Sequence, residues 1–542
     1  MPLLSNILKI KKPSKHGRST TPSFICEVPL HVLPSQEPVL QTRFEAARQC
    51  YNALLGEALR RMRLMKQSQA YQAACKIPHG VAHLVERRAA FKQVRQSMEF
   101  TESALSRYAT EIHHSWIGDH VDAVLGQTLA HRAFDAVDKM VLGRAKKVRF
   151  KGRRGIHQIG SLEGKSNQAG LRWRTDHLEW GALSLPMIQG AAQDPVIAYG
   201  LAHPIKYVRL VRRNLRGRDR YYAQLVCEGI PLRKLDPQNG CFQHPLGSDV
   251  VGLDIGPSTI AVAGEIQASL QRFAEDIVRD HATLRREQRH ADRQRRANNP
   301  NCYDAQGRAI KGKHPHNKSR RQRHTEARIR DLHRKEAAHR KTLHGQLAHR
   351  ILAQGATILT EKLSYKAFQK RWGRSISIRA PRLFLTILTR KAESAGGQVI
   401  EFNTRTTALS QTCLCGQKHK KRLSERVHTC ECGVIMQRDL FSAYLARFVE
   451  DDALQVAKAH ESWPGAEPLL RTAWQQATQN QPASGQRQPP SFGHFVRGPS
   501  QSRSPEKESL PEHKTPDVVI LAQVGVRADE SVKVEVFRTP RL

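Results

Sequence analysis

Residues 249–264 read DVVGLDIGPSTIAVAG. Two apolar runs flank a Gly256-Pro257 turn, which predicts a pair of strands. Asp254 interrupts the first run, and a charge inside an apolar strand is costly unless it is paired or binds a metal. Taken alone, a strand aspartate is more often a turn or ion-pair residue. Downstream, a strand at 356–360 (ATILT) runs into Glu361, a helical pattern follows near 381–395, and 398–402 (QVIEF) reads as another strand. A helix predicted from about 438 to 458 opens with Arg438-Asp439. Glu361 closing a strand and Asp439 opening a helix each have an ordinary reading, the latter as helix-start stabilisation. Together the three acids fall at the edges of alternating strands and helices, and a parallel-containing α/β sheet brings such ends to one face. Three convergent carboxylates suit two divalent ions, which activate water and stabilise a leaving oxygen in phosphodiester cleavage.

The charge of the chain points the same way. In 542 residues, 88 Lys and Arg stand against 49 Asp and Glu, a net of +39. Such a chain repels itself unless a polyanion neutralises it, and nucleic acid is the natural candidate, since each contacted phosphate releases a counterion. Apolar residues at 39% still allow folded cores. No apolar run approaches the roughly 20 residues needed to span a bilayer, and the N-terminus carries no secretory pattern. Secreted, membrane and acidic-substrate metabolic classes are disfavoured, and a cytoplasmic, nucleoid-associated prokaryotic protein is expected.

Ten cysteines are too few for a disulfide scaffold. Six are scattered, but Cys413-x-Cys415-Gly416 and Cys430-x-Cys432-Gly433 form two matched knuckles. Four clustered thiols in a basic loop predict a structural Zn²⁺ site, the glycines permitting the tight turns beneath it. Only one residue separates each pair, so His419 and His428 are kept as substitute ligands.

Upstream, residues 20–32 look extended. Helical spacing then runs to about Lys139 through Phe44, Ala47, Tyr51, Leu54, Leu55, Ala58 and Met62. A run of cations without an intervening acid follows: Arg144, Lys146, Lys147, Arg149, Lys151, Arg153 and Arg154. From about 160 to 230 the period is two, and 205–213 with 220–227 reads as a hairpin. Residues 281–350 hold 20 Lys and Arg against 6 Asp and Glu, in two helices broken near 298–318; Arg320, Arg321 and Arg323 open the second. Trp173, Trp180, Tyr221 and Tyr222 read mainly as core of the β-rich block rather than base-stacking groups. Residues 478–516 contain seven prolines among many Ser and Gln, a disordered composition.

These motifs in this order resemble the transposon-encoded TnpB nucleases, relatives of the compact type V CRISPR effectors. The resemblance rests on Gly252–Gly256 (GLDIG), the strand-terminal Glu361, Ser410-Gln411-Thr412-Cys413 and Arg438-Asp439, and more loosely on Arg43 and Tyr51-Asn52-x-Leu54. It covers roughly residues 20–455. Many relatives carry Asp and Asn where this chain has Gln437 and Phe441. The resemblance implies an α/β RNase H-like (RuvC) nuclease domain at 247–407 and 437–458 with a zinc ribbon at 408–436. It also implies a discontinuous β-barrel wedge at 1–40 and 155–246 with a helical recognition insert at 41–154, leaving 459–542 as a disordered extension. Guide RNA and double-stranded target DNA are the implied partners, with two Mg²⁺ held by Asp254, Glu361 and Asp439. Sequence would then be read by RNA–DNA pairing. The basic run and the helices of 281–350 would meet phosphates. A CRISPR-associated effector, a non-cleaving binding or transposition accessory protein, and a DNA-strand transferase are the competing readings, and the oligomeric state stays open.

Overall fold

The computed structural model describes residues 21–479, except 154–157 and single positions 216, 234, 237, 241, 313 and 423, together with 492 and 493. Arg154, the first 20 residues and residues 494–542 therefore lie outside the described residues.

In the first half, a four-stranded antiparallel sheet runs in the order Ser23–Pro29, Arg218–Glu228, Ile205–Leu215, Ser161–Glu163. A second sheet holds Leu171–Trp173, His177–Trp180 and Leu183–Pro186. The two meet where Leu30 bridges Met187. The opposite seam carries no ladder among the described residues, so the expected barrel is only partly closed.

Helices fill the interval between the first strand and the rest. Gln36–Gln67 buries Leu40, Phe44, Ala47, Tyr51, Leu54, Leu55, Ala58 and Met62, a single 3.6-residue stripe. Thr101 caps Glu102–His113 by accepting from the Ala104 N–H, and Asp122 caps Ala123–Val141 by accepting from the Leu125 N–H. The other Asp122 oxygen accepts from Trp180 Nε1 at 3.0 Å. Sheets and helices share one continuous core, from Phe24 to Cys227. The expected wedge and recognition parts are thus not separately packed bodies. Trp173, Trp180 and Tyr221 fill that core, as their apolar spacing predicts.

The second half is built on a five-stranded sheet in the order Ala268–Arg272, Thr259–Ala263, Val250–Ile255, Thr357–Glu361, Gln398–Phe402. The first three strands are antiparallel; the last two run parallel to the central Val250–Ile255. One face, with Val251, Leu253, Ile255 and Ile358, packs on the end of helix Arg320–Leu352 and on Pro381–Ala395. The other, with Ala261, Ala263, Leu359 and Phe402, packs on Arg438–Ala446 and Trp463–Gln479. Asp276–Asn298 and Arg320–Leu352 form the expected long basic pair, joined by an irregular loop.

Two expectations fail near the end of the chain. The helix opening at Arg438 stops at Ala446 rather than near 458, giving way to a tight hairpin whose turn puts Asp451 and Asp452 at positive φ. Disorder from 459 onward does not hold for residues 459–479. Trp463, Ala466, Leu470, Ala473, Trp474 and Ala477 lie on the buried stripe of one helix, and the Trp474 indole donates to the Phe492 carbonyl at 3.0 Å. The Gln- and Pro-rich composition around that stripe masks its period.

Candidate functional site

Successive residues of a strand face opposite sides, so Gly252 and Asp254 share one face. Over Gly252 lies the backbone of Arg438–Ala446: a Cβ at position 252 would sit 1.9 Å from the Ala443 carbonyl oxygen. Only glycine lets the helix come this close. Two residues along the strand span about 6.6 Å, and four residues back along the helix about 6 Å. The same contact that seats Ala443 on Gly252 therefore brings Asp439 over Asp254. The neighbouring strand pairs Thr360 with Leu253 in parallel register. Extending that register by one residue sets Glu361 beside Asp254. Ala261 opposes Asp254 on the other side and leaves room above it.

The three carboxylates are thus neighbours, but in unequal surroundings. Burial, then the charges of Asp439 and Glu361, push Asp254 well above the ordinary carboxylate range. Burial alone lifts Glu361 to about 7. Neither acid makes an ion pair or side-chain hydrogen bond among the described residues. Asp439 differs: Arg438 Nε lies 3.4 Å from its Oδ1 and Arg426 Nη1 3.9 Å. Arg438 is itself held by the carbonyls of Arg422 and Glu425. Gln437, where many relatives of the resembled family carry Asp, is fully buried and caps the helix by accepting from the Leu440 N–H at 2.7 Å. Close like charges, two of them outside any ion pair among the described residues, are an incomplete arrangement, and divalent cations complete it. The oxygens do not all come within 4.8 Å of one another, as the four cysteine sulfurs do.

Sequence reasoning missed two groups at this site. Arg426 is hidden within a basic loop. Tyr365, four residues after Glu361, has a buried hydroxyl without a hydrogen-bond partner among the described residues; burial, then Glu401, Arg382 and Asp254, leave it raised to about 12. Neither had a distinguishing sequence signal.

Cys413, Cys415, Cys430 and Cys432 converge, with Cys413–Cys432 sulfurs 3.4 Å and Cys415–Cys430 sulfurs 3.6 Å apart. Gly416 and Gly433, at φ +80° and +91°, make the turns that bring each short knuckle round. Burial holds the Cys413 thiol far above its ordinary value, so a thiolate there requires a cation. The donor set fits zinc. His428 lies outside that group, with Nδ1 against Lys421 and its ring over Phe441.

The predicted cations divide. Arg144, Lys146, Lys147, Arg149, Arg320 and Arg321 are exposed or half-exposed. Lys151 is pinned: Asn52 accepts from its backbone N–H at 2.7 Å and donates to its carbonyl at 2.9 Å. Arg153 and Arg323 line one cleft of about 730 Å³ with Arg48, Arg212, Lys318 and Arg330. Glu45, Asp219 and Glu326 line it too, each able to hold a neighbouring cation. An Arg48 hydrogen bond keeps Glu45 down at about 2.

Residues 382–445 match the Cas12f1-like, TNB domain family. That stretch includes all four clustered cysteines and Asp439. No curated protein matches the chain. Among solved structures, a cryo-EM structure of the Cas12f1-sgRNA-target DNA complex is 12% identical, covering 78% of this chain and 98% of that one at a TM-score of 0.39. A cryo-EM structure of a CRISPR-Cas12f ternary complex is 13% identical, with 76% and 81% coverage and a TM-score of 0.26. Both scores are low, and the architecture of this chain rests on its own ladders and packing.

Proposed function

We propose that this chain is an RNA-guided DNA endonuclease related to the TnpB and Cas12f-like proteins. Its nuclease unit is RuvC-like, centred on the sheet around Val250–Ile255, with Cys413–Cys432 as a zinc ribbon. The observation that carries the reading is the meeting of Asp254, Glu361 and Asp439 on one face of that sheet, two of them outside any ion pair among the described residues, in a chain of net charge +39. Two Mg²⁺ held by these acids supply, when bound, a nucleophilic water and charge neutralisation at the departing 3′ oxygen.

The chain's own groups do the rest. Arg438 and Gln437 fix Asp439 and its helix. The cleft between Arg48, Arg212 and Arg330 receives backbone phosphates of guide RNA, target DNA or their heteroduplex. A transposon-encoded setting fits the motif set. A CRISPR-associated setting fits the Cas12f1-like match at residues 382–445, and the genomic neighbourhood separates the two. A prokaryotic cytoplasm is consistent with both; no described helix is long and apolar enough to cross a membrane.

The test is to express the gene with its native flanking DNA and sequence the RNA that copurifies. A single discrete RNA ending outside the gene is expected, and it defines the target for a Mg²⁺ cleavage assay. Asp254→Ala should bind that RNA normally and lose cutting. Undiminished cutting by this variant would remove Asp254 from the site.

A further inference from the structure

Beside the four sulfurs stands a group that the cysteine spacing does not explain. His419 Nε2 lies 3.3 Å from Cys430 Sγ. The approach is held from the backbone: the His419 N–H donates to the Gln411 carbonyl at 2.8 Å, and Thr412 bridges Lys418. His419 is nonetheless outside the group whose ligand atoms all lie within 4.8 Å, which contains the four cysteines only. A histidine taking the place of a cysteine would join that group.

We propose that His419 is a positioning residue for the metal, donating Nε2–H to the Cys430 thiolate of a four-thiolate zinc site. The inference rests on reading the cysteine cluster as a zinc site. Zinc with four thiolates is a dianion, and an N–H aimed at one sulfur withdraws part of that charge and fixes the ligand's direction. The need is greatest here, because knuckles with one intervening residue leave each cysteine pair less freedom to find tetrahedral geometry. Cys430 is also a buried member of the set, so water cannot replace the donor freely. His428, fully buried with Nδ1 against Lys421, makes no hydrogen bond to a cysteine sulfur among the described residues.

The experiment uses full-length protein, with zinc content by elemental analysis, zinc affinity by competition with a chromophoric chelator, and absorption of the Co²⁺-substituted form. The wild type should show ligand-field bands of four-thiolate coordination. His419→Ala should keep those band positions and lose about 10- to 100-fold in zinc affinity, the range for removing an outer-sphere partner. His419→Gln retains an N–H donor and should recover part of the loss, which a general folding defect would not allow. Unchanged affinity in His419→Ala overturns the proposal. So does a shift of the Co²⁺ bands in that variant, which would make His419 a ligand. A wild type that takes up neither zinc nor cobalt overturns the zinc reading itself, and this inference with it.

Discussion

Replacing Gly252 with alanine tests the geometry on which the whole site depends. The new Cβ would meet the Ala443 carbonyl oxygen at 1.9 Å and the Ala446 Cβ at 3.1 Å. A comfortable carbon–oxygen contact is about 3.3 Å, so the helix must retreat by about 1.4 Å. Asp439 rides on that helix and moves with it, while Asp254 and Glu361 stay with the sheet. Overpacking of this kind costs about 1–3 kcal/mol, and misplacing a reacting group by about 1 Å can lower a rate by about 100-fold. Single-turnover cleavage by the purified RNA complex should therefore fall at least that far, alongside a lowered melting temperature. Gly373→Ala is the control, since a Cβ at that position would meet nothing within 4 Å. Copurifying RNA should persist in both variants, because the first half of the chain has its own core. Wild-type melting and cleavage in Gly252→Ala would refute the close approach of helix and strand.

Stripping the thiolate site should disorder more than the ribbon. Cys432 lies seven residues before Asp439, and the Val427–Thr429 and Ile435–Gln437 strands pair beside it, the second ending at the helix cap. Cys413→Ser should lose zinc and cleavage together; retained cutting in zinc-free protein would uncouple the two. Acid should destabilise the sheet's other face through His344, fully buried between Phe273 and Phe384 with Nε2 at the Arg379 carbonyl. Burial lowers it to about 4, so the unfolded chain takes the proton first: stability is full above pH 6.5 and drains away as pH falls toward 4. The loss between pH 7 and 5 is about 2 kcal/mol, and chemical denaturation of His344→Gln should show a correspondingly flatter pH slope. In the cleft, Arg323→Ala and Arg330→Ala should each flatten the salt dependence of nucleic-acid binding by about 0.9 for every phosphate left without its cation. An unchanged slope would place those side chains off the bound strand.

Much of the second half of the chain was legible because its signals are local. The apolar run around Asp254, the acid closing Thr357–Glu361 and the paired knuckles each sit within a few residues. What brings Asp439 to Asp254 is not local. It is the absence of a side chain at Gly252, which reads in sequence only as a glycine within an apolar strand run. The C-terminal helix was missed for a different reason: its buried stripe is diluted by Pro464, Pro468 and glutamines, so composition outweighed period. The barrel expectation erred at its seams, since register within each strand pair is readable but closure between sheets is set by tertiary packing.

The helix Arg438–Ala446 explains why these nonlocal pieces converge. Each of its nine residues is buried, an arrangement open only to a short helix covered on every side. The sheet covers it at Gly252, and the ribbon covers its start through His428 on Phe441. Trp463 stacks edge-on against Phe441 and Tyr444 from the C-terminal segment. A helix so enclosed has little freedom to tilt, and that rigidity answers an electrostatic need. Like charge shared among the three acids works against the approach of Asp439 to Asp254. The ribbon and the C-terminal helix, distant in sequence from Asp254, therefore hold the third acid against a force that the site itself generates.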